Sequence, residues 1–172
     1  MAVSSTTREY MLLDVGTLTW DSTDVGATGR AGSFKVEQTV RTPEFGGAMG
    51  PVKATEKVTQ EIVTLTMPLK ELSFDNLAML IPTLSASSDA SSEYNTQAQI
   101  GAIAETAYKE VVWTGKALDG DAVTITLDQA RPEGPFEMAL DDDNEATINA
   151  VFKGYYDPDD ADKRCWQITW VI

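Results

Sequence analysis

Hydrophobic and polar positions alternate with a period of two along most of this chain. In "SFKVEQTVR" (33–41), Phe34, Val36 and Val40 fall on one face, and Lys35, Glu37, Thr39 and Arg41 on the other. In "VTQEIVTLTM" (58–67), Val63, Leu65 and Met67 share a face opposite Thr64 and Thr66. Such alternation marks half-buried strands. "VVWTGKALDGDAVTITLDQA" (111–130) places two arms around Asp119-Gly120, a dipeptide that tolerates the positive φ of a tight hairpin turn. Val123, Ile125 and Leu127 line one face of its second arm. "EATINAVFKGYYD" and "RCWQITWVI" follow, the latter with Trp166, Ile168, Trp170 and Ile172 on one side. "EYMLLDVGTLTW" near the N-terminus also reads as extended. The pattern predicts a mainly β fold, an antiparallel sandwich or partial barrel.

The exception is "IVTLTMPLKELSFDNLAMLI" (62–81), where strand alternation gives way to helical spacing. Ser73 is a good N-cap, Asp75 suits the positive end of the helix dipole, and Pro82 stops the run. Phe74, Leu77, Ala78 and Ile81 fall at i, i+3, i+4 and i+7, the packing face of a short helix over 73–81. Met79 and Leu80 widen that stripe. So short a helix needs tertiary packing to persist. It is expected to flank the sheet.

Two irregular stretches interrupt the pattern. "TPEFGGAMGPVKATEK" (42–57) is far longer than a usual hairpin link and carries apolar Phe45 and Met49 among glycines and prolines. A long interaction loop and a plain mobile loop both fit it. "SASSDASSEYN" (85–95) reads as a polar surface loop. No repeat or linker divides residues 1–172, so one domain is expected.

Composition narrows the chemistry. The chain has 172 residues, 42% of them hydrophobic, enough to bury roughly 70% of its unfolded surface. The N-terminal segment lacks the pattern of a signal peptide, and no apolar run approaches the ~20 residues of a membrane span. With 27 acids against 13 bases, the net charge is −14. That opposes tight binding to nucleic acid or to anionic membranes. Histidine is absent, which removes Ser-His-Asp and Cys-His catalysis and imidazole metal sites. The single cysteine, Cys165, reads as a buried strand thiol. Asp141–Glu145 lacks the glycine and distal glutamate of a calcium loop, and "GATGRAG" (26–32) lacks the Lys-Ser/Thr of a phosphate cradle. No catalytic residue, metal site or cofactor is expected.

The order of features resembles a known family. A long loop between two early strands ("EFGGAMGPVKATEK") precedes a strand running into a short helix ("VTQEIVTLTMPLKELSFDNLAML"). A hairpin ("YKEVVWTGKALDGDAVTITLDQA") and a closing pair ("EATINAVFKGYYDPDDADKRCWQITWVI") complete the chain. This resembles the tail tube proteins of long-tailed bacteriophages and prophages, on element order and texture across nearly the whole chain. The resemblance implies a non-enzymatic virion protein, assembled in the host cytoplasm, whose hexameric rings stack into a tube. Its partners would be further copies of itself and other tail proteins (tape measure, tail tip, terminator). DNA would pass through without tight binding, and no membrane is involved. The early loop would bridge adjacent rings through Pro43, Glu44, Phe45, Met49, Pro51 and Val52. Glu37, Thr39 and Glu61 would be candidates for the lumen, although Lys35 and Arg41 share the face of the first two. Two other classes remain open: a ligand-binding β-sandwich for carbohydrate or host-surface attachment, and a hydrolase with paired carboxylates.

Overall fold

A computed structural model describes residues 16–47, 49–71, 73–81, 84–86, 94–96, 103–139, 146–160 and 163–171. The strands are β1 (Thr17–Trp20), β2 (Thr23–Asp24), β3 (Ser33–Arg41), β4 (Lys57–Leu69), β5 (Leu84–Ala86), β6 (Tyr94–Thr96), β7 (Lys109–Lys116), β8 (Ala122–Pro132), β9 (Met138–Ala139), β10 (Thr147–Gly154) and β11 (Trp166–Trp170). Among the described residues one α-helix, α1 (Phe74–Leu80), follows β4, and a single 3-10 turn (Glu105–Ala107) precedes β7. The main sheet runs β2-β1-β7-β8-β10-β4-β3, all antiparallel, with β11 added to β8 and β9 to β10. The mainly antiparallel β fold with one short helix is thus as the alternation predicts. Among the described residues the sheet does not close into a barrel.

One bulge explains how this single sheet becomes two layers. Along β8 the buried residues are first Val123, Ile125 and Leu127, then Ala130 and Pro132, so the parity changes. The change coincides with a slip against β7, where Val111 faces Leu127 but Lys109 faces Ala130. An extra residue at such a point bends the strand and sharpens its twist. Before the bulge β8 pairs with β11, and after it with β10. The consecutive strands β10 and β11 therefore flank opposite ends of β8 instead of pairing with each other.

The two halves face each other across one core. Leu18, Val111, Val123 and Leu127 on one side meet Val63, Leu65, Met67 and Phe152 on the other. The Trp20 and Phe152 rings lie 5.6 Å apart although β1 and β10 are not neighbours in the sheet. Phe34 and Trp166 meet likewise at 5.6 Å. The tryptophans of β11 pack against the core, and Cys165 is buried there. Core packing accounts for both.

Local signals place the remaining elements. The β7–β8 turn holds Gly120 at φ 106°, with Ala117 N–H donating to the Asp121 carbonyl at 2.8 Å. Strand β4 runs through Pro68. The Pro68 carbonyl accepts from Gly29 N–H at 2.7 Å, so its missing donor also faces this irregular segment and not the β10 ladder. Residues 26–32 lead into β3, where a Cβ on Gly32 would lie 2.2 Å from Met67 Sδ, so that side chain would have to shift.

The Ser73 hydroxyl accepts the Asn76 N–H at 3.2 Å, capping α1 as expected. The face turned inward differs from the expected one. Met79 and Leu80 pack on the core, Leu77 and Ile81 are half-buried, and Ala78 is exposed. The cause is Asn76, buried to 8% exposure, whose amide donates to the carbonyls of Val25 (2.8 Å) and Glu71 (2.9 Å). A buried amide must keep both bonds, and that sets the helix rotation. The Phe74 side chain lies outside the described residues.

Within the stretch expected to be a polar loop, Leu84–Ala86 and Tyr94–Thr96 pair as a two-stranded ribbon. Residues 87–93, Asp141–Glu145, Pro82 and Ile172, and most of the N-terminal segment before Thr17, lie outside the described residues.

Candidate functional site

The β3–β4 pair is longer than the body that supports it. Near its base, Phe34 pairs with Leu65 and Val36 with Val63, and these side chains join the core. Beyond Glu37 in β3, and before Glu61 in β4, every residue is exposed. The register also slips between Thr39 and Val40, leaving Thr59 as the extra residue, and the Thr59 hydroxyl donates to the Thr39 carbonyl at 3.1 Å. The outer end of the ladder is therefore a two-stranded arm in solvent. Such a ribbon is marginal by itself.

The arm carries apolar groups that nothing among the described residues covers. Val40 and Val58 stand directly opposite each other, 48% and 47% exposed. At the loop between the strands, Phe45 is 50% exposed, Val52 39%, and Met49 fully so. Pro43 is half-buried within the loop, whereas Glu44 and Pro51 are exposed. The loop is shaped by few bonds: Thr55 to the Val52 carbonyl at 2.7 Å and Thr42 to Glu56 at 3.5 Å. Clustered exposed apolar residues on a projecting element mark an interaction surface. The loop segment was legible in the sequence. Val40 and Val58 were not: alternation groups Val40 with Phe34 and Val36 as a core residue, and Val58 comes to face it only through the slip at Thr59.

The arm is fixed at its base by Glu61. Its carboxylate accepts from Gln38 Nε2 (2.6 Å), Trp166 Nε1 (2.7 Å) and Tyr156 OH (3.1 Å). These bonds, Gln38 first, hold the carboxyl below its ordinary range. Burial, with the Glu61 bond next, pushes Tyr156 up to about 12. Glu61 ties β3, β4, β11 and the segment after β10 together. Glu37 sits on the other face, across from Ile62, and makes an exposed ion pair with Lys35 at 2.7 Å. Thr39, across from Gln60, shares the Glu37 face. The three residues singled out for a lumen are thus divided between two faces.

A second polar cluster lies on the outer face of β8 and β10. Glu133 accepts from Arg131 Nη2 at 2.8 Å, pairs with Lys153 Nζ at 3.2 Å, and takes a short bond from the Tyr155 hydroxyl. Burial pulls the Glu133 carboxyl up, but these donors outweigh it and leave the group below its ordinary range. The Tyr108 ring meets Tyr155 edge-on at 5.0 Å. A general acid needs a raised carboxyl, and Glu61 and Glu133 are both lowered. Burial raises the Cys165 thiol, so it is a poor thiolate nucleophile. Among the described residues no group of His, Cys, Asp or Glu has the arrangement to hold a metal ion, and no helix is long and apolar enough to cross a membrane.

No protein-family model matches this chain, and comparison with curated proteins finds no significant similarity.

Proposed function

We propose that this protein is a structural subunit that self-assembles into stacked hexameric rings, the tail tube of a long-tailed phage or prophage through which the genome is delivered. The observation that carries this reading is the β3–β4 arm, a projecting ribbon with apolar Val40, Val58, Phe45 and Met49 in solvent. Its apolar surface is stabilised by burial, and a homo-oligomer provides that at no cost in new sequence. Among the described residues the sheet ends at β2 and β3 without a further partner strand, and this supports the same reading, since exposed strand edges invite pairing between chains. The hexameric count and the tube rest on the resemblance in element order.

An attachment module that binds carbohydrate would present convergent exposed aromatics. Here Trp20, Trp166 and Trp170 pack on the core and Trp113 is buried within it, which favours assembly. Negative-stain electron microscopy of the concentrated protein, with light scattering, tests the reading. Rings or tubes are the expected result. A persistent monomer that also ignores tail-tip partners overturns it.

A further inference from the structure

Glu61 sits where the arm leaves the body. β10 ends at Gly154, opposite Val63, and beyond that point β4 has β3 as its one sheet neighbour among the described residues. An open groove of about 770 Å³ lies there. Gln38, Val58 and Gln60 line its arm side, and Lys153, Tyr155 and Arg164 its body side. The Glu61 carboxylate bridges the two, and its oxygens divide the work. Oε2 accepts from Gln38 Nε2 on the arm at 2.6 Å. Oε1 accepts from Trp166 Nε1 (2.7 Å) and Tyr156 OH (3.1 Å) on the body. Trp166 is held in turn by the Phe34 ring at 5.6 Å and by the Arg164 guanidinium at 5.9 Å.

Only an ionised carboxylate suits this arrangement. It accepts and never donates, so it can take all three donors at once. A proton on Oε1 sets an O–H against the indole N–H, which has no lone pair to offer in return. A proton on Oε2 sets it against the Gln38 amide, which can turn over but then makes a neutral bond roughly half as strong as a charge-assisted one. Either proton therefore weakens one side of the bridge. The groups facing Glu61 do not share its titration. Gln38 and Trp166 do not ionise, and acid adds no further proton to the Arg164 guanidinium or the Lys153 ammonium. Burial pushes Tyr156 up to about 12 and raises the Cys165 thiol, so both stay neutral. The nearby carboxylates are engaged elsewhere, Glu133 with Lys153 at 3.2 Å and Asp128 with Lys163 at 3.1 Å.

We infer that Glu61 is an acid-operated latch: its carboxylate fixes the direction of the β3–β4 arm, and a proton on it lets the arm swing across the groove. The bonds from Gln38 and Trp166 hold the carboxyl below its ordinary 4.5. The latch is therefore complete above about pH 4.5 and is lost as pH falls through the lowered value. It is a property of the single chain and goes beyond the assembly reading. Under that reading a swinging arm presents no fixed contact, so acid reverses stacking and neutralisation restores it.

Spin labels on the full chain test it, at Val40→Cys on the arm and Asp159→Cys on the body, both exposed positions, with buried Cys165 controlled by the unsubstituted chain. The distance distribution between the labels is expected to be narrow at about pH 7 and to widen at least about twofold at about pH 3, reversibly and with a native circular dichroism spectrum. Glu61→Gln, neutral at every pH, is expected to give the wide distribution at both values. A distribution in Glu61→Gln that stays narrow, or that still widens in acid, overturns the inference. So does a labelled chain with Glu61 intact whose distances stay narrow in acid, or widen only as the body unfolds. Light scattering on the same samples keeps the assembly reading separate. A chain that never stacks overturns that reading, while the distances alone judge the latch.

Discussion

Glu37 and Glu61 stand on opposite faces of the β3–β4 ladder, because Glu37 lies across from Ile62 and Glu61 across from Gln38. They cannot both line one bore. Their environments differ as well: Glu37 has one exposed ion pair, whereas Glu61 receives three hydrogen bonds from three separate segments.

Stability should separate the two. Glu61→Ala removes an acceptor shared by Gln38, Trp166 and Tyr156, at a cost of about 1–2 kcal/mol after allowing for its partial exposure. Thermal denaturation should show Tm lower by about 2–8 °C. Glu37→Ala should change stability by less than about 0.5 kcal/mol, as exposed pairs do. Equal effects would show that Glu61 does not fasten the arm.

The pH dependence follows from the same bonds. Glu61 and Glu133 have carboxyls held below the ordinary 4.5, so between the two values the unfolded chain binds protons that the folded chain does not. Their contribution is fully present above about pH 4.5 and is lost as pH falls through their lowered values. Tyr156 acts at the alkaline end. Raised from 10.0 to about 12, it favours the folded state below pH 10 and loses that contribution as pH rises towards 12. Urea midpoints measured across pH should fall at both ends. Glu61→Gln should blunt the acid limb and Tyr156→Phe the alkaline one.

Removing the arm should leave the body intact. Replacing residues 41–57 with a two-residue Asn-Gly turn joins Val40 to Val58, which already face each other. Because the outer ladder contributes nothing to the core, Tm should stay within a few degrees while stacking is abolished. Long tubes from this variant, seen by electron microscopy, would exclude the arm as a contact.

For a bore, the informative substitution is on the Glu37 face alone. Glu37→Lys, with Gln60→Lys on the same face, should slow genome passage in particles while assembly proceeds, since at about 8 Å screening length only charges at the wall act on the cargo. Ejection at the normal rate would remove this face from the lumen.

The core is the least tolerant region. Phe152 is fully buried and touches Trp20 across the layers, so Phe152→Ala should cost about 3–5 kcal/mol, read as a shift in the denaturation midpoint. Cys165, buried beside Gly154, should react with alkylating reagents only on unfolding. Ready labelling of the native chain would contradict its burial.

The amino-acid sequence by itself determined the local elements of this protein. Period-two alternation specified β3, β4, β7, β8, β10 and β11, Asp119-Gly120 specified a turn, and Ser73 specified the start of α1, because each depends on neighbours within a few residues. It also marked residues 42–57 as an unusual link. Partner choice, faces and exposure were decided only in three dimensions. The bulge in β8 sends β11 and β10 to opposite ends of one strand, and Asn76 rotates α1 through carbonyls of Val25 and Glu71. Glu61 gains its donors from β3, β11 and the segment after β10, so no window of sequence contains them. Val40 carries the clearest case: alternation assigns it to the face of Phe34 and Val36, yet the body of the sheet ends before it reaches Val40. Periodicity says which residues share a face, and only the extent of the second layer says whether anything covers it.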